Sequence, residues 1–218
     1  MHKAVFISDI HLGTKQCKAK KLLTFLNDNE IKCDYLFLVG DIIDGWALRR
    51  RHYWPKSHTE VLRRILKLSE RCKVIYLPGN HDEFVRPFLK HDMQLGNVDI
   101  VDSYVYENVY VCHGDRFDLT MKIPRQVINF FAHLSDGGSF TDKMYKLLGT
   151  QKVITKWAKS KNYDSVLTGH THSPKIVNGY MNCGDWCDNC TYITHDENGE
   201  WKLNYYGKED DNRSNMET

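Results

Sequence analysis

The stretch Tyr35-Leu36-Phe37-Leu38-Val39-Gly40-Asp41-Ile42-Ile43-Asp44 runs five apolar residues into a glycine and then two carboxylates three positions apart. An unbroken apolar run of this kind marks a strand buried on both faces, as in parallel sheets. The arrangement recurs on either side: Ala4-Val5-Phe6-Ile7 precedes Asp9-Ile10-His11, and Val74-Ile75-Tyr76-Leu77 precedes Gly79-Asn80-His81-Asp82. Between these runs Ala19, Leu22, Leu23 and Leu26, then Val61, Leu62, Ile65 and Leu66, recur at helical spacing. The pattern predicts a β-α-β-α-β opening whose polar clusters leave the carboxyl ends of the strands, where open α/β sheets place their sites.

Two further clusters, His113-Gly114-Asp115 and Gly169-His170-Thr171-His172, follow later apolar runs. Candidate strands in this half are 100–106, 109–113, 164–168, 175–177, 180–183, 192–195 and 201–205, which gives two sheets packed face to face and flanked by helices. Any one cluster is a weak signal, since Asp-x-His or Gly-Asp-x-x-Asp is as often a turn as a ligand pair. Five in this order point to metal. Imidazole nitrogen with carboxylate and amide oxygen suits Mn, Fe or Zn, and the lack of thiolates among these residues disfavours a structural cysteine zinc site. Two divalent ions roughly 3.5–4 Å apart need a shared anionic oxygen, and water held between such ions is a nucleophile for in-line displacement at phosphorus. Asp41 is the natural bridge.

The five clusters resemble the calcineurin-like metallophosphoesterase superfamily, whose pattern reads Asp-x-His, Gly-Asp-x-x-Asp, Gly-Asn-His-Asp/Glu, His, Gly-His-x-His. The resemblance implies a four-layer αββα sandwich and two divalent ions per chain, Mn first, with Fe or Zn as alternatives. Asp9, His11, Asp41 and His172 would hold the first ion, and Asp41, Asn80, His113 and His170 the second. His81 would lie just outside the metal shell, protonating the leaving oxygen or contacting the phosphoryl group alongside Asn80, with Asp44 orienting it. An imidazole held by a carboxylate can stay protonated near neutral pH and act as a general acid. Asp82 is expected to support the turn that carries Asn80 and His81.

Two blocks outside these clusters are more specific. Gly45-Trp46 leads into Arg49-Arg50-Arg51-His52-Tyr53-Trp54-Pro55, and Tyr180-Met181-Asn182-Cys183-Gly184-Asp185-Trp186 is followed by Cys190-Thr191. From about residue 3 to about residue 205 the chain resembles the bacterial UDP-2,3-diacylglucosamine diphosphatase family of lipid A synthesis. The resemblance implies hydrolysis of a nucleotide-linked lipid pyrophosphate to UMP and a lipid sugar phosphate at the cytoplasmic membrane surface. His81 stands where the well-characterised enzyme of that family has Arg, a feature of a sister group. The stretch between His113 and Gly169, where that enzyme carries a helical lid, is short here.

Length and composition fit one enzyme domain over 1–207, with a helical insert at about 119–161 and a charged tail, 208–218, expected to be disordered. A net charge of +2 is too small to indicate specific nucleic-acid binding. No run approaches a membrane span, and a strand at 3–8 leaves no room for a signal peptide. Seven dispersed cysteines read as a reduced, cytoplasmic chain. Cys183, Cys187 and Cys190 are closely spaced but have no fourth ligand at finger spacing, so packed thiols are the better reading than a zinc or redox site.

Within the insert, Ile123, Val127, Phe130, Phe131 and Leu134, Met144 to Leu148, and Val153, Ile154, Trp157 and Ala158 suggest amphipathic helices edged by lysine and arginine. Two readings stand side by side: a cap packed on the sheets, or an apolar surface for acyl chains and peripheral membrane contact, with Phe130, Phe131 and Trp157 lining it. Arg49, Arg50, Arg51 and Arg86 are candidate diphosphate ligands. The expected substrate is a phosphorylated small molecule or nucleotide-linked lipid. A soluble nucleotide or phosphoprotein on the same site, or a non-catalytic scaffold on the same fold, are the alternatives.

Overall fold

The structure is a computed structural model that describes residues 2–28, 32–91, 94–118 and 150–207. The opening keeps the β-α-β-α-β order that the apolar pattern predicts, with one short helix added after β2: β1 (His2–Ile7), α1 (Ala19–Asn27), β2 (Cys33–Leu38), α2 (Gly45–Arg50), α3 (Lys56–Leu68) and β3 (Lys73–Tyr76). β4 (Gln94–Leu95), β5 (Val98–Ile100), β6 (Tyr104–Tyr106) and β7 (Val109–Val111) follow, then α4 (Thr150–Ser160), β8 (Ser165–Thr168), β9 (Lys175–Val177), β10 (Tyr180–Asn182), β11 (Thr191–Asp196) and β12 (Trp201–Tyr205).

The strands make a seven-stranded sheet in the order β12-β11-β1-β2-β3-β5-β4 and a five-stranded sheet in the order β6-β7-β8-β10-β9. β1, β2, β3 and β5 run parallel in the first sheet, as do β7, β8 and β10 in the second. Alternation along β1 shows the layers. Ala4 and Phe6 face a core shared with Tyr106, Val111, Leu167 and Met181 of the second sheet, where Phe6 stacks on Phe37 with centroids 4.5 Å apart. Val5 and Ile7 face the opposite core, against Leu22, Phe25 and Leu26 of α1 and Val61 and Ile65 of α3. On the far side of the second sheet Ile154 and Ala158 of α4 pack on Cys112, Val166 and Tyr180. The order is helices, sheet, sheet, helix: a four-layer αββα sandwich. Burial on both faces is why the strands read as continuous apolar runs.

Three expectations are corrected. The single strand at 100–106 is two strands in different sheets: β5 pairs with β3 and β6 with β7, and residues 101–103 carry the chain across. α2 and a 3-10 turn over Glu83–His91 lie where no element was expected. Trp157 does not line an open apolar surface. It packs in an aromatic group with Tyr110, Phe117 and Tyr163, its ring 4.7 Å from Tyr110 and 5.0 Å from Phe117. Helix α4 thus behaves as a packed cap, with Lys152, Lys156 and Lys159 exposed. Phe130, Phe131 and the rest of the insert at 119–149, like the tail 208–218, lie outside the described residues.

Candidate metal centre

Asp9 and His11 follow β1, Asp41 and Asp44 follow β2, Asn80 and His81 follow β3, His113 follows β7, and His170 and His172 follow β8. All five clusters therefore leave the carboxyl ends of parallel strands, and the two sheets bring them together. Close packing is bought with backbone strain: Asp9, His11, Asp41, His170 and His172 all have φ between +50 and +67°, a conformation that L-residues hold only where the surroundings enforce it. Gly40 has φ +82°, and a Cβ there would collide with the His113 ring; one at Gly169 would collide with the Asp9 carboxylate.

Each carboxylate is anchored through one oxygen. Asp41 Oδ1 accepts from the His81 amide at 2.8 Å. Its Oδ2 is left 3.3 Å from His113 Nε2, 3.8 Å from His11 Nε2 and 4.0 Å from His81 Nε2. Asp9 Oδ2 accepts from the His170 amide at 3.0 Å, leaving Oδ1 3.2 Å from His172 Nε2. The imidazoles are fixed in the same way through their outer nitrogens. His113 Nδ1 bonds the Val39 carbonyl at 2.9 Å, His11 Nδ1 bonds Asp44 Oδ2 at 3.1 Å, and His170 Nε2 bonds Asp118 Oδ2 at 2.8 Å. With Nε2 so engaged, His170 keeps Nδ1 for an ion.

Three overlapping groups of ligand atoms converge among the described residues: Asp9, His11 and His172; His11, Asp41 and His81; and Asp41, His113 and His170. Four buried polar atoms in the centre have no hydrogen-bond partner among the described residues: Asp9 Oδ1, Asn80 Oδ1, His81 Nδ1 and His113 Nε2. Orphans of this kind are costly unless something binds them, and three of the four belong to expected ligands, the exception being His81 Nδ1 beside Asp44. The electrostatics agree. Burial alone would raise Asp41 and lower His113, but their mutual attraction outweighs it, holding Asp41 well below the usual carboxylate range and raising His113 to about 10. Divalent cations fit this donor set of carboxylate, imidazole and amide oxygen, and would displace the imidazole protons on binding.

Asp44 works on both sides of the centre. Oδ1 accepts from Ala47 N at 2.6 Å and caps α2, while Oδ2 lies 3.1 Å from His11 Nδ1 and 2.9 Å from His81 Nδ1. Burial pushes its carboxyl up, yet the two imidazoles hold it below the usual range. His81 is pulled down by burial and more strongly raised by Asp44 and Asp41. Asp82 is fully buried. Its carboxylate accepts from the amides of Ile42 at 3.0 Å, Ile43 at 2.7 Å and Gly79 at 3.3 Å, lashing the Asn80 turn to the Asp41 loop; burial pushes it up to about 6. Asp82→Ala leaves those buried donors unpaired, so a loss of about 3 kcal/mol is expected, or roughly 6–12 °C in Tm by calorimetry.

Arg86 is not free to bind substrate. It makes two 2.9 Å bonds to Asp115, one from each terminal nitrogen, and a third to the Pro78 carbonyl, clamping the Asn80 turn to the His113 turn. Arg49, Arg50 and Arg51 are exposed at the end of α2, outside the ligand groups. Cys183, Cys187 and Cys190 are buried, and burial raises each thiol. Sequence reasoning missed Asp118. Removing its bond to His170, as in Asp118→Ala, is expected to weaken binding of one ion about 10–100-fold, read by metal titration.

A sandwich whose strand ends converge on such a centre is the architecture of the calcineurin-like phosphoesterase family. That family's model matches residues 2–174, and the chain belongs to it. It is a metal-dependent phosphoester hydrolase. Among its relatives is the UDP-2,3-diacylglucosamine hydrolase of Vibrio atlanticus (strain LGP32), 26% identical over 221 residues, covering 84% of this chain and 89% of that one. The enzyme of the same name from Neisseria gonorrhoeae (strain ATCC 700825 / FA 1090) is 31% identical over 123 residues, 53% of this chain and 49% of that one. Vacuolar Protein Sorting 29 from Cryptosporidium parvum aligns over 93% of this chain and 95% of its own at 14% identity, with a TM-score of 0.45.

Proposed function

We propose that the chain hydrolyses the pyrophosphate of UDP-2,3-diacylglucosamine or a similar nucleotide-linked lipid, giving UMP and a lipid sugar phosphate, with Mn as the working metal. The observation that carries the chemistry is Asp41 Oδ2, held among three imidazole nitrogens at 3.3–4.0 Å, where one oxygen could serve two ions. Asp9, His11, Asp41 and His172 would hold one ion and Asp41, Asn80, His113 and His170 the other. Bound divalent ions supply Lewis-acid stabilisation of the phosphoryl charge and activation of water.

The remaining work falls to the chain. His81, kept protonated by Asp44, gives its Nε2 proton to the leaving oxygen as the bond from phosphorus to that oxygen breaks and one from water forms; the proton shed by water restores the imidazolium through solvent. The exposed Arg49, Arg50 and Arg51 provide a cationic face for the second phosphate. The substrate class is supported by relatives that bear its name across most of the chain. An acylated substrate would place the enzyme on the inner face of the cytoplasmic membrane. No helix among the described residues is long and apolar enough to cross one.

The test is product analysis on UDP-2,3-diacylglucosamine and on bis(p-nitrophenyl) phosphate, with the protein loaded in turn with Mn, Fe and Zn. UMP release from the lipid at far higher kcat/KM than diester cleavage, greatest with Mn, is expected. Diester cleavage without UMP release would assign the centre to another phosphoester.

A further inference from the structure

Helix α2 begins directly after Asp44, and its second residue reaches back over the centre. The Trp46 ring lies against His81 with centroids 4.2 Å apart and planes at 38°, while its Nε1 donates to Glu83 Oε1 at 3.1 Å. That bond ties α2 to the turn just past His81. The His81 ring meets two other restraints: the ring of His11 stands perpendicular to it at 4.6 Å, and Asp44 Oδ2 sits 2.9 Å from Nδ1. Its Nε2 is thereby turned toward the cluster, 4.0 Å from Asp41 Oδ2.

The contact of Nδ1 with Asp44 fixes one point of the imidazole but leaves the ring free to swing about it. His81 retains 23% side-chain exposure, so there is solvent for it to swing into. The indole covers part of that freedom. Trp46 and Glu83 belong to none of the groups of convergent ligand atoms, so neither is needed to hold an ion.

We propose that Trp46, braced by Glu83, is a positioning residue that holds the His81 imidazole against the oxygen leaving phosphorus. The inference rests on the reading of His81 as proton donor. It predicts a selective defect, because a proton donor matters most when the leaving oxygen is basic. Misplacing a reacting group by about an ångström costs on the order of 10²-fold.

The experiment compares the Mn-loaded protein with its Trp46→Ala, Trp46→Phe, Glu83→Ala and His81→Ala variants on two diesters. In bis(p-nitrophenyl) phosphate the nitrophenolate departs readily without a proton. In diphenyl phosphate the phenolate is more basic. Trp46→Ala is expected to lower kcat on diphenyl phosphate about 10–100-fold, with a much smaller change on the nitrophenyl ester and with KM and bound metal unchanged. Trp46→Phe, which keeps a ring face, should recover part of the loss, and Glu83→Ala, at an exposed position, should show the same selectivity more weakly. Equal losses on both esters, or no selectivity in either Trp46→Ala or Glu83→Ala, would overturn the inference while leaving His81 its role, provided His81→Ala separates the two esters. If His81→Ala fails to separate them, His81 is not the donor and both readings fall.

Discussion

Asp41→Ala is expected to abolish hydrolysis and to lower the metal bound per chain, with both losses arising from one atom. Oδ2 faces His113, His11 and His81 at once, and Oδ1 is committed to the His81 amide, so no second oxygen of the side chain can stand in. No neighbour replaces it. Asp9 is tied to the His170 amide through Oδ2 and directs Oδ1 to His172, and Asp44 is spent on α2 and on the outer nitrogens of His11 and His81. The variant would also leave His113 buried without the carboxylate that raises it, a loss the apo protein should register as lower stability. Elemental analysis after dialysis against Mn measures the stoichiometry, and turnover of bis(p-nitrophenyl) phosphate measures the chemistry. Two tightly held ions in Asp41→Ala would remove it from the bridging position.

How much of this was legible follows from what each signal encodes. The runs at β1, β2 and β3 announce themselves because a strand between a helix layer and a second sheet has no polar face. The five clusters stand out because each follows such a run and combines residue types that ligate metal. The stretch around Ile100 and Tyr106 misleads for the same reason: both halves are apolar, and hydrophobicity does not say which sheet a strand joins. Asp118 carries no motif, and its partner His170 lies 52 positions away, so only the fold reveals the pair. Closeness to the Asn80 turn makes Arg86 look like a substrate ligand in the sequence. The carboxylate of Asp115, two residues past His113, was the competing partner, and a bidentate pair already made is worth more than one awaiting a ligand. Trp157 differs: its spacing places it on the apolar face of a helix, but the aromatic residues that cover it come from β7 and the turns at 117 and 163.

His81→Ala should part from Asp41→Ala in kind. Its outer nitrogen lies against Asp44 and its ring is flanked by His11 and Trp46, while Asn80, the preceding residue, presents a buried Oδ1 with no partner among the described residues. In the proposed reading the backbone of this turn would deliver Asn80 to an ion and His81 to what the ions bind. The His81 amide bond to Asp41 Oδ1 is a main-chain contact and survives truncation of the side chain. Metal stoichiometry should stay at the parent value, and turnover should fall by about 10²–10⁴-fold, the range for loss of a general acid. His81 is also one of three imidazoles near Asp41 Oδ2, at the longest of the three distances. A ligand would have to close that gap, and its removal would cost an ion. The two outcomes separate cleanly in one preparation: full metal with slow turnover makes His81 the proton donor, whereas loss of an ion makes it a ligand and passes the donor role to water.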